Sequence, residues 1–383
     1  MKNVAASPVS IEFDPRGQLE AVGSDDRDAR WLNLLFSRPS ECFVKNVRTS
    51  WAKLTLGEYV LPVSINDAEY DNAFVCSPYS GCILYSQSEI RLLESWLLRL
   101  SLRSLVTAMS LPLRLAKIDR VVSVNNWLLT TNLYPQLEMS LIPSATQRLV
   151  DRFPNHAITF RSLNPRTNGL LIETLLSAGY LMAPSRQVYF FDGRTSDYLR
   201  RSNSRRDQQL LMSTSFRLES HEQITSCDSA RIEALYRMLY VDKYSPHNPQ
   251  VTVEMFKEMH ARKLLTMWGL RNPSGRLDGI VGAFERDGVM TVPLVGYDTS
   301  LPKQWGLYRL LMAIVLREAA HQRWLLNLSS GAASFKRLRG GEPSLEYTAV
   351  YCQHLSRPRR IAWHTLANLL RNVGGPILKK FEL

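Results

Sequence analysis

The chain has 383 residues with 45% hydrophobic and 9% aromatic content, enough to bury a substantial core and, at ~100–200 residues per domain, to build two domains. Its longest apolar stretches, such as Leu307 to Leu316, are interrupted by basic residues and fall short of the ~20 residues needed to cross a bilayer. Met1 to Phe13 lacks the pattern of a secretion signal, so no transmembrane segment and a cytoplasmic location are expected. Lys and Arg outnumber Asp and Glu by 47 to 35, a net charge of +12, which favours polyanionic partners such as CoA, an acidic carrier protein, transfer RNA or an anionic membrane surface. Cys42, Cys76, Cys82, Cys227 and Cys352 contain no Cys-x-x-Cys pair, and free thiols are expected.

In chain order, residues 1–30 are polar, rich in Asp and Ser and without sustained period, which predicts a loosely docked leader. From residue 31 to 195 apolar strands alternate with amphipathic helices. Ile90 to Met109 places Leu92, Leu93, Trp96, Leu97, Leu100, Leu102 and Leu105 at helical spacing. A strand at Val121 to Val124 opens into the loop Asn125 to Pro135. A helix near Ser144 to Arg152, a strand at Ala157 to Arg161, a helix from Leu170 to Ala178 and a strand at Arg186 to Phe191 follow. The basic run Arg200 to Arg206 marks a junction.

The second half, residues 206–353, repeats this order. Helices are expected over Ile232 to Tyr240 and Val253 to Leu264, then a hairpin of Gly279 to Glu285 and Val289 to Tyr297 about Asp287-Gly288. Ser300 to Pro302 can cap the next helix, whose stripe is Leu307, Leu310, Leu311, Ile314 and Val315. A strand at Leu325 to Leu328, a short helix and a strand at Glu346 to Tyr351 close the half. The tail, residues 354–383, joins Trp363, Leu366 and Leu370 to basic ends. It suits docking on the chain's own surface or peripheral contact with an anionic membrane.

The most informative segment runs from Val292 to Arg309. A strand that ends in a loop and feeds a helix leaves N–H groups to attract phosphate, Gly306 permits close approach, and Lys303 and Arg309 add charge. These residues resemble the GNAT superfamily, in its branch of FemAB-like and cellulose-biosynthesis-type acetyltransferase domains with two GNAT-like halves. The similarity covers Tyr198 to Tyr351, through Tyr198 to Arg206, Leu235 to Tyr240, Gly296-Tyr-Asp298, the helix after Gly306, and Asn327 to Lys336. Lys303-Gln-Trp-Gly306-Leu-Tyr308 keeps the family's loop spacing but ends in Tyr where a small residue is usual.

The resemblance implies an α/β fold of two mixed-sheet halves and an N-acyltransferase. An amine attacks an acyl group carried by acyl-CoA, acetyl-CoA included, or by acyl-carrier protein, without a metal. The donor is expected on Val295, Gly296, Lys303, Gln304, Gly306, Leu307 and Arg309, beside a diverging strand. Asp298 is the expected base, Tyr297 or Tyr308 the proton donor, and Lys336 the cation near the oxyanion, grouped with Arg205 and Arg206. Ser329 and Ser330 are expected to orient a small-molecule amine, with Tyr79 and Asn126 of a donor-free first half. Tyr308 and the +12 charge leave open an aminoacyl-tRNA-dependent FemAB-like transferase. A degenerate GNAT fold that only binds a partner is the third alternative.

Overall fold

The computed structural model describes residues 8–13, 26–91 and 95–381. In the first half β1 (Val9–Phe13), β2 (Ser50–Leu56), β3 (Tyr59–Asp67) and β4 (Arg120–Val124) pair antiparallel in turn, and β5 (Ala157–Leu163) lies parallel to β4. The second half repeats this with β7 (Arg217–Glu219), β8 (Thr266–Arg271), β9 (Leu277–Arg286) and β10 (Val289–Tyr297), and β11 (Leu325–Asn327) runs parallel to β10. The long strands β6 (Leu181–Asp192) and β12 (Glu342–Tyr351) then change sides. β12 pairs with β5, β6 pairs with β11, and the two pair with each other. One mixed sheet results, in the order β1-β2-β3-β4-β5-β12-β6-β11-β10-β9-β8-β7.

Each parallel pair needs a crossover, and a helix supplies it. The helices are α1 (Asp26–Ser37), α2 (Ser86–Ile90), α3 (Trp96–Leu115), α4 (Ile142–Arg152) and α5 (Pro165–Ser177), then α6 (Ser202–Ser213), α7 (Ser229–Arg237), α8 (Val253–Ala261), α9 (Leu307–His321) and α10 (Ala333–Arg337). Two more, α11 (Arg357–Leu369) and α12 (Gly375–Phe381), follow β12. The α/β class and mixed sheet implied by the resemblance are present. So is the Asp287-Gly288 hairpin, with φ of 49° and 75°. No helix among the described residues is long and apolar enough to cross a membrane.

Three local expectations change. Residues 1–30 are not all leader, because Val9–Phe13 is the sheet's edge strand and α1 buries Trp31, Leu32, Leu34 and Leu35. The charged face of α1 hides this in composition, yet Trp31 packs edge-on against Trp127 of the first half and Phe284 of the second. Arg27 ties the same helix to Glu285, which is therefore paired. The helix expected over Ile90 to Met109 is α3, starting at Trp96 behind a Ser95 cap; Leu92 and Leu93 lie outside the described residues. Ser300 to Pro302 do not cap α9, whose N-cap is Gly306.

The tail docks. Trp363, Leu366 and Ala367 of α11 are buried, and Arg359 donates to the carbonyls of Ala116 and Asn155.

Candidate functional site

β10 and β11 stay in register only from Val289 to Thr291, after which β11 ends and β10 continues to Tyr297. The strands part, as the resemblance implies, and a cavity of about 570 Å3 opens there between the halves. Val292, Val295 and Tyr297 reach it from β10, and Leu328, Ser329 and Ser330 from the loop after β11. Its roof is the π-helical turn Ser80–Tyr85 with α2, whose Ser88 hydroxyl meets that of Ser245 at 3.3 Å. Two further π-helical turns, Met238–Asp242 and Leu370–Gly374, also contribute walls. Such turns interrupt regular helix pairing and are frequent at functional sites.

The polar centre is built where the exchanged strands meet. Arg186 of β6 stands opposite Glu346 of β12 in register and donates to its Oε1 from Nε at 3.0 Å and Nη2 at 2.7 Å. The same guanidinium donates to Ser329 Oγ at 3.1 Å and the Thr130 carbonyl at 2.8 Å, joining both halves. Glu346 Oε2 is buried without a hydrogen-bond partner. Arg161, also in the wall, donates to the Val75 carbonyl at 3.0 Å.

Glu89 of α2 enters this electropositive space. Among the described residues no hydrogen bond or ion pair holds its carboxylate. Burial raises its pKa from 4.5 to about 7, against the lowering pull of Arg186. A carboxyl group poised near neutrality and facing a cavity is equipped to accept a proton.

Lys336 of α10 lines the cavity but spends its three donors on the carbonyls of Leu328 at 2.7 Å, Ser329 at 3.1 Å and Ser330 at 2.8 Å. Burial and then Arg186 pull its pKa down to about 7, whereas three carbonyl acceptors favour the ammonium form. The contacts decide its role: Lys336 pins a loop in which Ser329, Gly331 and Ala332 all have positive φ. Arg205 and Arg206 are exposed on α6, so the three cations do not form one face. Lys336→Met is therefore expected to cost roughly 2–5 kcal/mol by stranding buried carbonyls. Urea denaturation would measure it, and an unchanged midpoint would show that the loop holds itself.

The loop expected to seat the donor packs closely against its neighbours. Gly306 has φ of +67°, and a Cβ there would lie 2.9 Å from Leu210 of α6. Arg309 is engaged by Asp207 at 2.7 Å, and Gly296 lies against the backbone of α7, where a Cβ would meet Leu235 C at 2.8 Å. Of the seven donor residues only Val295 lines the cavity; Gly296, Lys303, Gln304, Gly306, Leu307 and Arg309 do not. Gly306→Ala should lose about 1–2 kcal/mol from its left-handed backbone alone, visible in thermal melts. Full stability would show that the backbone at this position relaxes out of the left-handed region.

Asp298, the expected base, is held by neighbours. Burial raises its pKa, but hydrogen bonds from Ser300 and Arg231 outweigh that and hold it below the usual range. With Arg231 Nη2 at 2.7 Å it braces the loop before α9 and lies outside the cavity wall. Tyr297 and Tyr308 do line the cavity, with pKa values raised chiefly by burial. Tyr79 and Asn126 do not: the Tyr79 hydroxyl meets Ser110 Oγ at 2.6 Å, and Asn126 donates to Ser64 Oγ at 2.8 Å and the Val75 carbonyl at 3.0 Å. Both are framework of the first half. Glu89, Arg161, Arg186 and Glu346, which line the cavity, have no signal in the sequence because long-range neighbours bring them together.

No protein-family model matches the sequence, and no curated protein matches it. The chain is similar to the C-terminal domain of a putative lysylphosphatidylglycerol synthetase from Agrobacterium fabrum, at 12% identity over 63% of this chain and 79% of that one, with a TM-score of 0.43. It is similar to L-PGS from Bacillus licheniformis at 12% identity over 60% and 80%, TM-score 0.44. FemX is similar at 8% identity over 55% and 78%, TM-score 0.43.

Proposed function

We infer that the chain is an acyltransferase that joins an acyl group to an amine in the cavity between its halves. The observation that carries this reading is Glu89, a carboxyl group without a hydrogen-bond or ion-pair partner among the described residues and raised to about 7, inside the cavity that opens where β10 leaves β11. The amine nitrogen attacks the acyl carbonyl carbon while Glu89 takes the amine proton. The new C–N bond replaces the C–S or C–O bond to the donor's carrier, which leaves with a proton from Tyr297; Tyr297 then regains a proton from solvent as Glu89 releases the one it took. Arg186 supplies positive potential to the developing oxyanion, and Lys336 holds the Ser329 loop in place.

The donor is proposed as a thioester of CoA or of a carrier protein, or as an aminoacyl ester on transfer RNA. Leu210 against Gly306 favours the last, since it needs no pyrophosphate seat at the start of α9. Incubating the chain with a panel of amines and, in turn, labelled acyl-CoA, loaded carrier protein and charged transfer RNA tests both statements. Amide product with one donor class and its loss in Glu89→Gln support the reading; no amide with any donor, or product undiminished by the substitution, would remove it.

A further inference from the structure

The cavity has a second, apolar arm away from Arg186. Leu102, Leu105, Val106 and Met109 of α3 form one side, and Leu370 and Ile377 of the C-terminal segment are on the other. α3 is anchored there, since Leu113 is buried in a cluster with Trp363 and Leu366 of α11. Its other face is unusual for a helix in water. Trp96, Leu97, Leu100, Leu111 and Leu115 are between 58 and 74% exposed, although an isolated exposed apolar residue would need no explanation.

Charge decides what covers this face. The twenty residues of α3 contain Arg99, Arg103 and Arg114 and no acidic residue. Arg99 and Arg103 are exposed, while Arg114 stacks over Tyr70 and Tyr79. Beyond Ile377, α12 adds Lys379 and Lys380 in its last turn. A Trp near one end, leucines at both ends and arginines between them match a helix lying in a bilayer interface, where rings and aliphatic chains enter the acyl boundary and guanidinium groups meet lipid phosphates. A twenty-residue helix is ~30 Å long, enough to rest its length on a membrane without crossing it.

We propose that α3 docks the chain on an anionic lipid bilayer, with the apolar arm of the cavity next to that surface. The geometry differs from contact through the tail alone, because α11 is occupied in packing and α3 presents the apolar face. An amphiphilic ligand then needs no passage through water between bilayer and cavity. The docking itself does not depend on acyl transfer, so it is tested separately.

The full chain is mixed with phosphatidylcholine vesicles containing or lacking phosphatidylglycerol and floated on a density gradient. Wild type is expected with the phosphatidylglycerol vesicles and not with pure phosphatidylcholine. Two variants that change exposed side chains only, Trp96→Ser with Leu100→Ser and Arg99→Gln with Arg103→Gln, should each weaken binding at least tenfold and leave the melting transition in place. The proposal is overturned by no flotation with anionic vesicles, by binding that neither variant reduces, or by a dimer in sedimentation that the Trp96 variant dissociates, since a second copy would then own the face.

Discussion

A chain carrying Glu89→Gln is expected to fold, to exceed the wild type in stability above pH 7, and to turn over roughly 10²–10³-fold more slowly. Burial lifts the folded-state pKa of Glu89 from 4.5 to about 7. Between those values the native chain keeps a proton that the unfolded chain has released, so its stability is full below the lower one and falls as pH rises to the upper. Above that window the deficit is constant at roughly 3 kcal/mol, and Gln escapes it. Asp119 is likewise raised to about 7 by burial, with the same sign in both chains, so the difference between them isolates Glu89. Urea midpoints at pH 3.5 and pH 8 should diverge only at the higher pH. The wild-type rate should rise through pH 7, and the residual rate of the variant should not. Equal midpoints together with an ordinary rate would show that Glu89 neither bears the burial cost nor moves the proton.

The amphipathic periods and turn residues made most of the architecture readable before any coordinates. The Asp287-Gly288 turn demanded positive φ, and the stripe of α9 demanded burial; both are local facts that a sequence displays. The exchange of β6 and β12 was not readable, because an apolar strand such as Val188 to Phe191 fits equally well beside either neighbour. The surroundings of the expected site were hidden for the same reason. Gly306, Asp298 and Lys303 drew attention as a contiguous motif, but Leu210, almost a hundred positions earlier, covers the glycine, and Arg231 neutralises the aspartate. Glu89 has no signal of its own in a polar stretch, Ser86-Gln-Ser-Glu89. Burial beside the π-helical turn before it, partly opposed by Arg186, gives that carboxyl group its raised pKa.

Arg186→Met should be among the most destabilising single changes in the chain, at about 3–5 kcal/mol, because it leaves a buried carboxylate without its partner. Glu346 is 2% exposed, and its Oε2 already lacks a hydrogen bond. The substitution also removes the donors to Ser329 and Thr130, so the loop beside the cavity and the loop plugging the first half lose their common anchor. Arg161 lies within electrostatic reach of Glu346 and can offset part of the loss, which places the expected cost nearer the lower figure. Replacing both members, Arg186→Met with Glu346→Leu, removes the stranded charge and should recover much of the stability while leaving the rate low. Recovery without rate would separate the pair's structural role from its effect on the acyl carbonyl. The four chains of this cycle, compared by urea denaturation, should show a coupling of at least 1 kcal/mol between the two positions. Additive losses would mean that Arg186 acts through Ser329, Thr130 and Thr131, and that Glu346 is not what holds it at the junction of the exchanged strands.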